Sequence, residues 1–284
     1  MIKDRNGIYV YPFHKTEGSE FHEKRDRPAL LRELNDDILH QINWETPFYI
    51  NFLEECLKGF DLTGKTCLDL GSGDGRFTTY LISKGVKNII CVDSDYKTLH
   101  SLSVFSEKEN FKDKITLINC SAHDLPIDDE SIDVVLALGV FYYLGEFHKI
   151  GIKNVFDKLV KGGMLISSEP CKEGIAMRSL IFEGLNQMFD TIFKGEFYEK
   201  QGDIKGKFFL HDQDELLSMY QDSGFNLEKR KGLSIFHQIV RILYVKGSIT
   251  KNDLESNLQN LSRVFDYLDK NGTFDKTHLF HHVK

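Results

Sequence analysis

The residue types best suited to chemistry stand together in Asp69-Leu70-Gly71-Ser72-Gly73-Asp74-Gly75. A short apolar run, TCLDL, leads into this segment. RFTTYLISKG, with Phe77, Tyr80 and Leu81 at helical spacing, leads out of it. Glycines at a strand-to-helix turn allow a tight bend and let a ligand lie close to the backbone. Dinucleotide sites use a similar turn, G-x-G-x-x-G, but the position for the last glycine holds Arg76. A carboxylate at Asp69 would repel a pyrophosphate, which a helix N-terminus otherwise favours, and would suit an ammonium group. Asp93 ends the next apolar run, where a carboxylate can accept hydrogen bonds from both hydroxyls of a ribose. The set therefore points to a ligand with an ammonium and a ribose but no phosphate. Two plainer readings stand beside it: Asp69 as a cap of the turn, and Asp93 as a solvent-facing strand end.

The elements around this turn alternate. NIICVDS, ITLINCSA, IDVVLALGV and MLISSEP read as buried strands, separated by helical patterns in YKTLHSLSVFSEKEN and FHKIGIKNVFDKLVKGG. Strands apolar on both faces, alternating with helices, predict a parallel sheet covered on both sides. Residues 1–28 are polar and dotted with aromatics, as a flexible arm or a flap over a ligand would be. Residues 29–59 read as two helices with Pro47 opening the second. After Pro170 the rhythm breaks, and residues 171–211 read as an inserted lid. A helix from DQDELLSMYQDSG, a strand from FNLEKRKGL, a last helix near 252–270 and a closing strand in THLFHHVK complete the chain.

The ordered motifs resemble the class I S-adenosylmethionine-dependent methyltransferases, from about Lys65 to Pro170 and more weakly through 208–231. CLDLGSGDGRF is similar to the family's first motif and CVDSDYKTL to its second. SAHDLPIDDESIDVVLALGVFYYL is similar to the third and fourth, and DKLVKGGMLISSEP to the helix, turn and fifth strand. The resemblance implies a Rossmann-like α/β fold: an open seven-stranded, mostly parallel sheet, helices on both faces, and a helical cap or lid. It divides the chain into an N-terminal arm and cap at 1–59 and a catalytic domain at 60–284. It implies S-adenosylmethionine as cofactor and S-adenosylhomocysteine as product. Asp69 would hold the methionine ammonium, directly or through water. Gly71, Ser72 and Gly73 would lie along the methionine and ribose. Asp93 would bind the ribose hydroxyls, with Ser94 beside the adenine. Ala122 would offer its N–H to the adenine, and Leu138 would line the methionine side. Many members carry an aspartate where Ser121 stands, so either Ser121 would accept weakly there or His123 or Asp124 would take over that contact.

Methyl transfer from a sulfonium is an in-line displacement, so the protein must mainly align the groups and exclude water. The acceptor side lies at the loops after the strands. There Tyr142 and Tyr143 suit a small organic acceptor held by stacking or cation–π contact, although packing against the sheet would use the same aromatics. The segment LGVFYYL lacks the Asn/Asp-Pro-Pro-aromatic run that amino-group methylases of DNA carry at this point. His14, Glu169 and His211 are the candidate bases for a hydroxyl acceptor, with His148 and His237 behind them. The histidines of the closing strand carry no accompanying carboxylate, so no metal site is expected. The formal charge of −7 over 284 residues argues against a nucleic-acid sleeve, whose affinity comes from neutralising phosphates. Five scattered cysteines without a C-x-x-C pair indicate free thiols in a reducing compartment. No apolar signal core or membrane-length run is present, and the reading is a cytoplasmic protein. The expected activity is methyl transfer to a small molecule, an oxygen acceptor ahead of a nitrogen one. RNA or protein methylation and a non-catalytic, cofactor-binding regulator are the alternatives.

Overall fold

The computed structural model describes residues 1–24, 36–201, 203–234, 239–240, 243–244, 247–271 and 275–284. The elements in chain order begin with β1 (Ile2–Lys3), β2 (Ile8–Val10), α1 (Glu17–Lys24), α2 (Asp36–Cys56), β3 (Thr66–Leu70), α3 (Arg76–Ser83), β4 (Asn88–Asp93) and α4 (Tyr96–Lys108). Then come β5 (Ile115–Asn119), β6 (Ile132–Leu138), a 3-10 turn (Phe141–Phe147), α5 (His148–Lys158) and β7 (Leu159–Pro170). The second half holds α6 (Lys172–Phe182), α7 (Leu185–Lys194), β8 (Glu196–Gln201), β9 (Ile204–Phe209), α8 (Gln213–Asp222), β10 (Asn226–Ser234), α9 (Lys251–Asn271) and β11 (Asp275–Val283).

Among the described residues the main sheet has nine strands, in the order β1-β2-β5-β4-β3-β6-β7-β11-β10. All neighbours from β2 to β7 run parallel, whereas β11 and β10 are antiparallel. Chain order reverses beside β3, with β4 and β5 on one side and β6 and β7 on the other. That reversal opens a crevice at the strand C-termini. The alternation of side chains sorts the core into two layers. Cys67, Cys91, Leu136 and Ile166 pack under α2, α3 and α4, while Leu68, Val92, Val135 and Leu165 pack under α5 and α8. The apolar runs of the sequence are explained by this cover on both faces.

Three features depart from the sequence reading. The sheet is wider than seven strands because residues 2–10 form a hairpin whose second strand pairs in parallel with β5, Ile8 opposite Leu117. Asp4 shapes that hairpin by accepting from the N–H groups of Asn6 and Ile8, both at 2.9 Å. Tyr96 on α4 pins it, its hydroxyl accepting from the Asn6 amide at 2.7 Å. Secondly, α2 is one helix over the residues where a second was expected to start, and Pro47 lies inside it. The break that proline favours is opposed by Phe48, Phe52, Leu53 and Cys56, which are buried along the following turns. Thirdly, α5 ends at Lys158, and Gly162-Gly163 belongs to β7. A Cβ on Gly163 would lie 2.9 Å from the Val160 carbonyl and 3.1 Å from that of Asp133, so the glycine serves close strand packing. No described helix is long and apolar enough to cross a membrane.

Candidate functional site

A cavity of about 380 Å³ lies at the topological reversal, among the ends of β3, β4, β6 and β7. Its floor is the glycine turn. Gly71 has φ 68°, and a Cβ there would lie 2.5 Å from a Val140 methyl, so this position tolerates only glycine. Gly73 has φ 54° and Gly139 φ 75°, and both line the cavity. A Cβ built on either meets no neighbour, so side chains there would enter the space a ligand needs. The backbone N–H groups of Gly71 and Ser72 donate to the Val92 carbonyl at 2.8 and 3.0 Å, tying the turn to β4.

Asp93 is fixed on both oxygens. Oδ2 accepts from the Gly73 N–H at 2.8 Å and Oδ1 from the Asp95 N–H at 2.8 Å. The carboxylate lines the cavity, on the side where a ribose diol would meet it. Ser94, Ala122 and Leu138 line the cavity as well. Ser121 joins them, and its hydroxyl shares a 2.7 Å hydrogen bond with His123 Nδ1. His123 itself does not line the cavity. It stacks on Phe147 at 4.5 Å, and burial lowers its pKa. Its place is behind Ser121. Ser72 likewise lies outside the lining, with its hydroxyl buried.

Asp69 is 2% exposed and sits beneath the turn rather than in the cavity wall. Oδ2 accepts from the Thr78 hydroxyl at 2.6 Å. Burial, helped by the nearby Asp93 charge, raises its pKa to about 7 against the opposing effect of the Thr78 hydrogen bond. A direct ammonium contact is thus not made by this arrangement; the water-bridged one remains compatible with it.

One end of the cavity is aromatic and roofed. Tyr142 and Tyr143 line the cavity with ring centroids 4.0 Å apart, and Phe208 of β9 meets both rings edge-on. Burial holds the Tyr142 phenol well above its ordinary pKa. Helix α1 closes over Tyr143. The Thr16 hydroxyl donates to the Tyr143 carbonyl at 3.0 Å, and a Cβ on Gly18 would stand 2.3 Å from that carbonyl oxygen. Thr16 and Ser19 also line the cavity.

The three candidate bases are elsewhere. β-strand alternation turns Ser168 and Pro170 of β7 toward the cavity and Ser167 and Glu169 toward the opposite layer. There Glu169 is 1% exposed and accepts from the Tyr220 hydroxyl at 3.1 Å, with His148 Nε2 at 3.7 Å. His211 packs edge-on to His148 at 5.0 Å, and its pKa is lowered by burial. His14 is exposed, its ring tilted against Phe147 at 5.6 Å. None of the three lines the cavity. His237 lies outside the described residues. His282 belongs to the same buried layer as Glu169, stacked on Tyr220 at 4.0 Å, and burial pushes its pKa down to about 3.

Residues 68–167 match the family described as "Methyltransferase domain". That span runs from β3 to β7 and contains the glycine turn, Asp93 and both tyrosines. It is similar to a methyltransferase domain, set in the fold of the class I methyltransferases. The chain is 30% identical over 125 residues to the tRNA U34 carboxymethyltransferase of Pseudomonas fluorescens, a match covering 43% of this chain and 38% of that protein. It is 30% identical over 103 residues to an uncharacterized methyltransferase of Schizosaccharomyces pombe, covering 35% of this chain and 37% of that one. The chain thus spans under two fifths of the length of these curated relatives. Among solved structures, the methyltransferase domain and its surroundings superpose on the S-adenosylmethionine-dependent methyltransferase of Mesorhizobium loti, with TM-score 0.53, 13% identity, and 79% and 93% of the two chains covered. Haemonchus contortus phosphoethanolamine N-methyltransferase 2 gives TM-score 0.60 at 15% identity, covering 96% of this chain and 61% of that one. Identities this low bear on the fold, and the fold agrees.

The methyltransferase domain's residues fit the family's cofactor. The open space before Gly73 and Gly139 and the fixed carboxylate of Asp93 are what an adenosyl group with a ribose diol requires. Sequence reasoning missed Thr16 and Ser19, which lie far from the motifs. It also missed Tyr49 and Arg76, which line the cavity from α2 and α3. The departure from G-x-G-x-x-G at Arg76 was the signal available for the last of these.

Proposed function

We propose that this chain binds S-adenosylmethionine in the cavity and transfers its methyl group to a small acceptor, an oxygen nucleophile ahead of a nitrogen one. The enclosed aromatic acceptor end carries the reading: Tyr142 and Tyr143, roofed by α1 and by the β8–β9 hairpin. The cofactor supplies an electrophilic methyl on a sulfonium. The chain's own residues do the rest. Asp93 would hold the ribose diol and Ala122 the adenine edge. Gly71 and Gly73 would let the methionine lie against the backbone, with Asp69 acting on its ammonium through water. Leu138, Tyr142 and Tyr143 would flank the path of the incoming nucleophile and keep water from it. Ser168, 1% exposed and lining the cavity, would offer a hydroxyl to a polar acceptor. Residues 171–211, which hold α6, α7 and the hairpin, would form the lid, and residues 1–59 the arm and cap.

The test is calorimetric titration with S-adenosylhomocysteine, followed by transfer of labelled methyl across a panel of phenols, hydroxy acids and amines. Failure to bind S-adenosylhomocysteine would end this reading. Binding without transfer to any acceptor would favour a regulatory protein that has kept the pocket. A second reading, RNA as acceptor, is supported by those curated relatives that are named tRNA U34 carboxymethyltransferase. Salt-dependent label transfer to bulk tRNA, in place of transfer to the small molecules, would establish it.

A further inference from the structure

We propose that the outward face of α7 is a dimer interface, which pairs with the same face of a second copy of this chain about a two-fold axis at Phe189. The proposal concerns assembly and depends on neither the cofactor nor the acceptor.

Helix α7 is amphipathic and seated in reverse. A surface helix ordinarily turns its apolar stripe to the core. Here the polar residues Gln187 and Thr191 face the protein. The Thr191 hydroxyl belongs to a fully buried residue and lies 2.9 Å from the Gln187 carbonyl and 3.1 Å from that of Glu196. The Gln187 amide donates to the Glu196 carbonyl at 3.3 Å. Gly195, at φ 66°, fixes the helix end, since a Cβ there would lie 2.6 Å from the Leu210 carbonyl oxygen. The apolar stripe is left in solvent: Leu185 is 58% exposed, Phe189 44% and Phe193 79%. Ile192 lies beside them, and Met177 and Leu180 are exposed on α6, which packs against α7. The rings of Phe189 and Phe193 stack at 6.1 Å. A contiguous apolar patch of this size marks an interaction surface.

Three observations identify the occupant as a second copy. The area suffices: the six exposed residues present on the order of 600 Å², and two copies pass the ~1,000 Å² that a specific interface needs. The spacing is self-complementary. Leu185, Phe189 and Phe193 stand four residues apart, so an antiparallel two-fold at Phe189 sets Leu185 against Phe193 of the second copy and Phe189 against itself. The charges agree with the same arrangement. Exposed Glu183 precedes the stripe and exposed Lys194 ends it, so each end of the paired helices brings opposite charges together. A bilayer is the poorer match, because interfacial helices carry a basic polar face. Residues 171–211 hold six basic and six acidic side chains, and the polar face of α7 is turned into its own chain.

The experiment is sedimentation equilibrium of the full chain over roughly 1–100 μM, the affinity range of a small interface. The wild type should form a dimer and no larger species, since an isologous contact closes on itself. Phe193→Ser should weaken association by about 30-fold or more, the scale of a hot-spot residue, with an unchanged circular dichroism spectrum. Glu183→Lys or Lys194→Glu alone should weaken the dimer at low salt, and the two together should restore it. All five native cysteines are buried, so an added surface thiol reports position. Under oxidation Phe189→Cys should cross-link to itself. Phe193→Cys should cross-link to Leu185→Cys but not to itself, because antiparallel pairing sets the two copies of position 193 about 12 Å apart along the helix, beyond disulfide reach. A monomer throughout the range overturns the proposal. So does a dimer that Phe193→Ser leaves intact, or one in which Phe193→Cys links to itself as readily as Phe189→Cys does. Flotation with phosphatidylcholine vesicles by a monomer, lost in Phe193→Ser, also overturns it and gives the face to lipid.

Discussion

Asp93 shows how a single side chain is prepared before a ligand arrives. Two backbone N–H donors set its plane, so diol binding requires no reorientation. Asp93→Ala should weaken S-adenosylhomocysteine by about 100-fold in calorimetry, the loss of two charge-assisted hydrogen bonds. Asp69 makes a different prediction, about pH. Its folded value of about 7 lies above the ordinary 3.8 because burial disfavours the charge. The folded protein therefore keeps a proton through this window that the unfolded chain releases. The contribution is complete below pH ~4 and is lost as pH rises toward 7. Chemical denaturation from pH 4 to 7 should show this decline in the ligand-free wild type, and Asp69→Asn should flatten it. Glu169→Gln should leave the pH profile of methyl transfer unchanged while lowering stability, because the group faces the layer of Tyr220 and His148. Asp93 and the glycines were legible because a strand, a tight turn and a helix impose their types at short range. The side to which Glu169 turns was not, because which face of β7 holds it depends on register with β11 and β6, a long-range property.

At the scale of elements, the seat of α1 on the 3-10 turn is the contact most exposed to test. Gly18 approaches the Tyr143 carbonyl more closely than any side chain permits. Gly18→Ala should lift α1 and speed amide exchange across Glu17–Lys24, with the melting temperature nearly unchanged. Thr16→Ala removes both the bond to the Tyr143 carbonyl and the acceptor for the Ser19 N–H at 3.1 Å, so it should act in the same direction. In both variants the KM for an acceptor should rise more than kcat falls, since the flap encloses rather than reacts. The helices and strands from β3 to β7 were legible in the apolar periodicity. The hairpin of residues 2–10 was not, since its strands are two and three residues long and alternate too briefly to register. The single course of α2 through Pro47 escaped notice for a related reason: tertiary burial outweighed a local preference.

The whole molecule is a sheet whose two flanks are built from the two ends of the chain. Ile8 is completely buried where β2 covers the edge of β5, and Ile8→Ala should cost ~2–4 kcal/mol in denaturant unfolding. On the other flank, β11 is inserted between β7 and β10 and contributes Leu279 to one core layer and Phe280 to the other. The order of synthesis then matters. As the chain leaves the ribosome, β2 has no partner until residues 115–119 follow, and β7 presents an unpaired apolar edge until β11 follows. Parallel pairing across such separations is slow, and an open edge invites intermolecular pairing while it waits. A stalled or nicked nascent chain ending before β11 would therefore be insoluble even with its cofactor motifs complete.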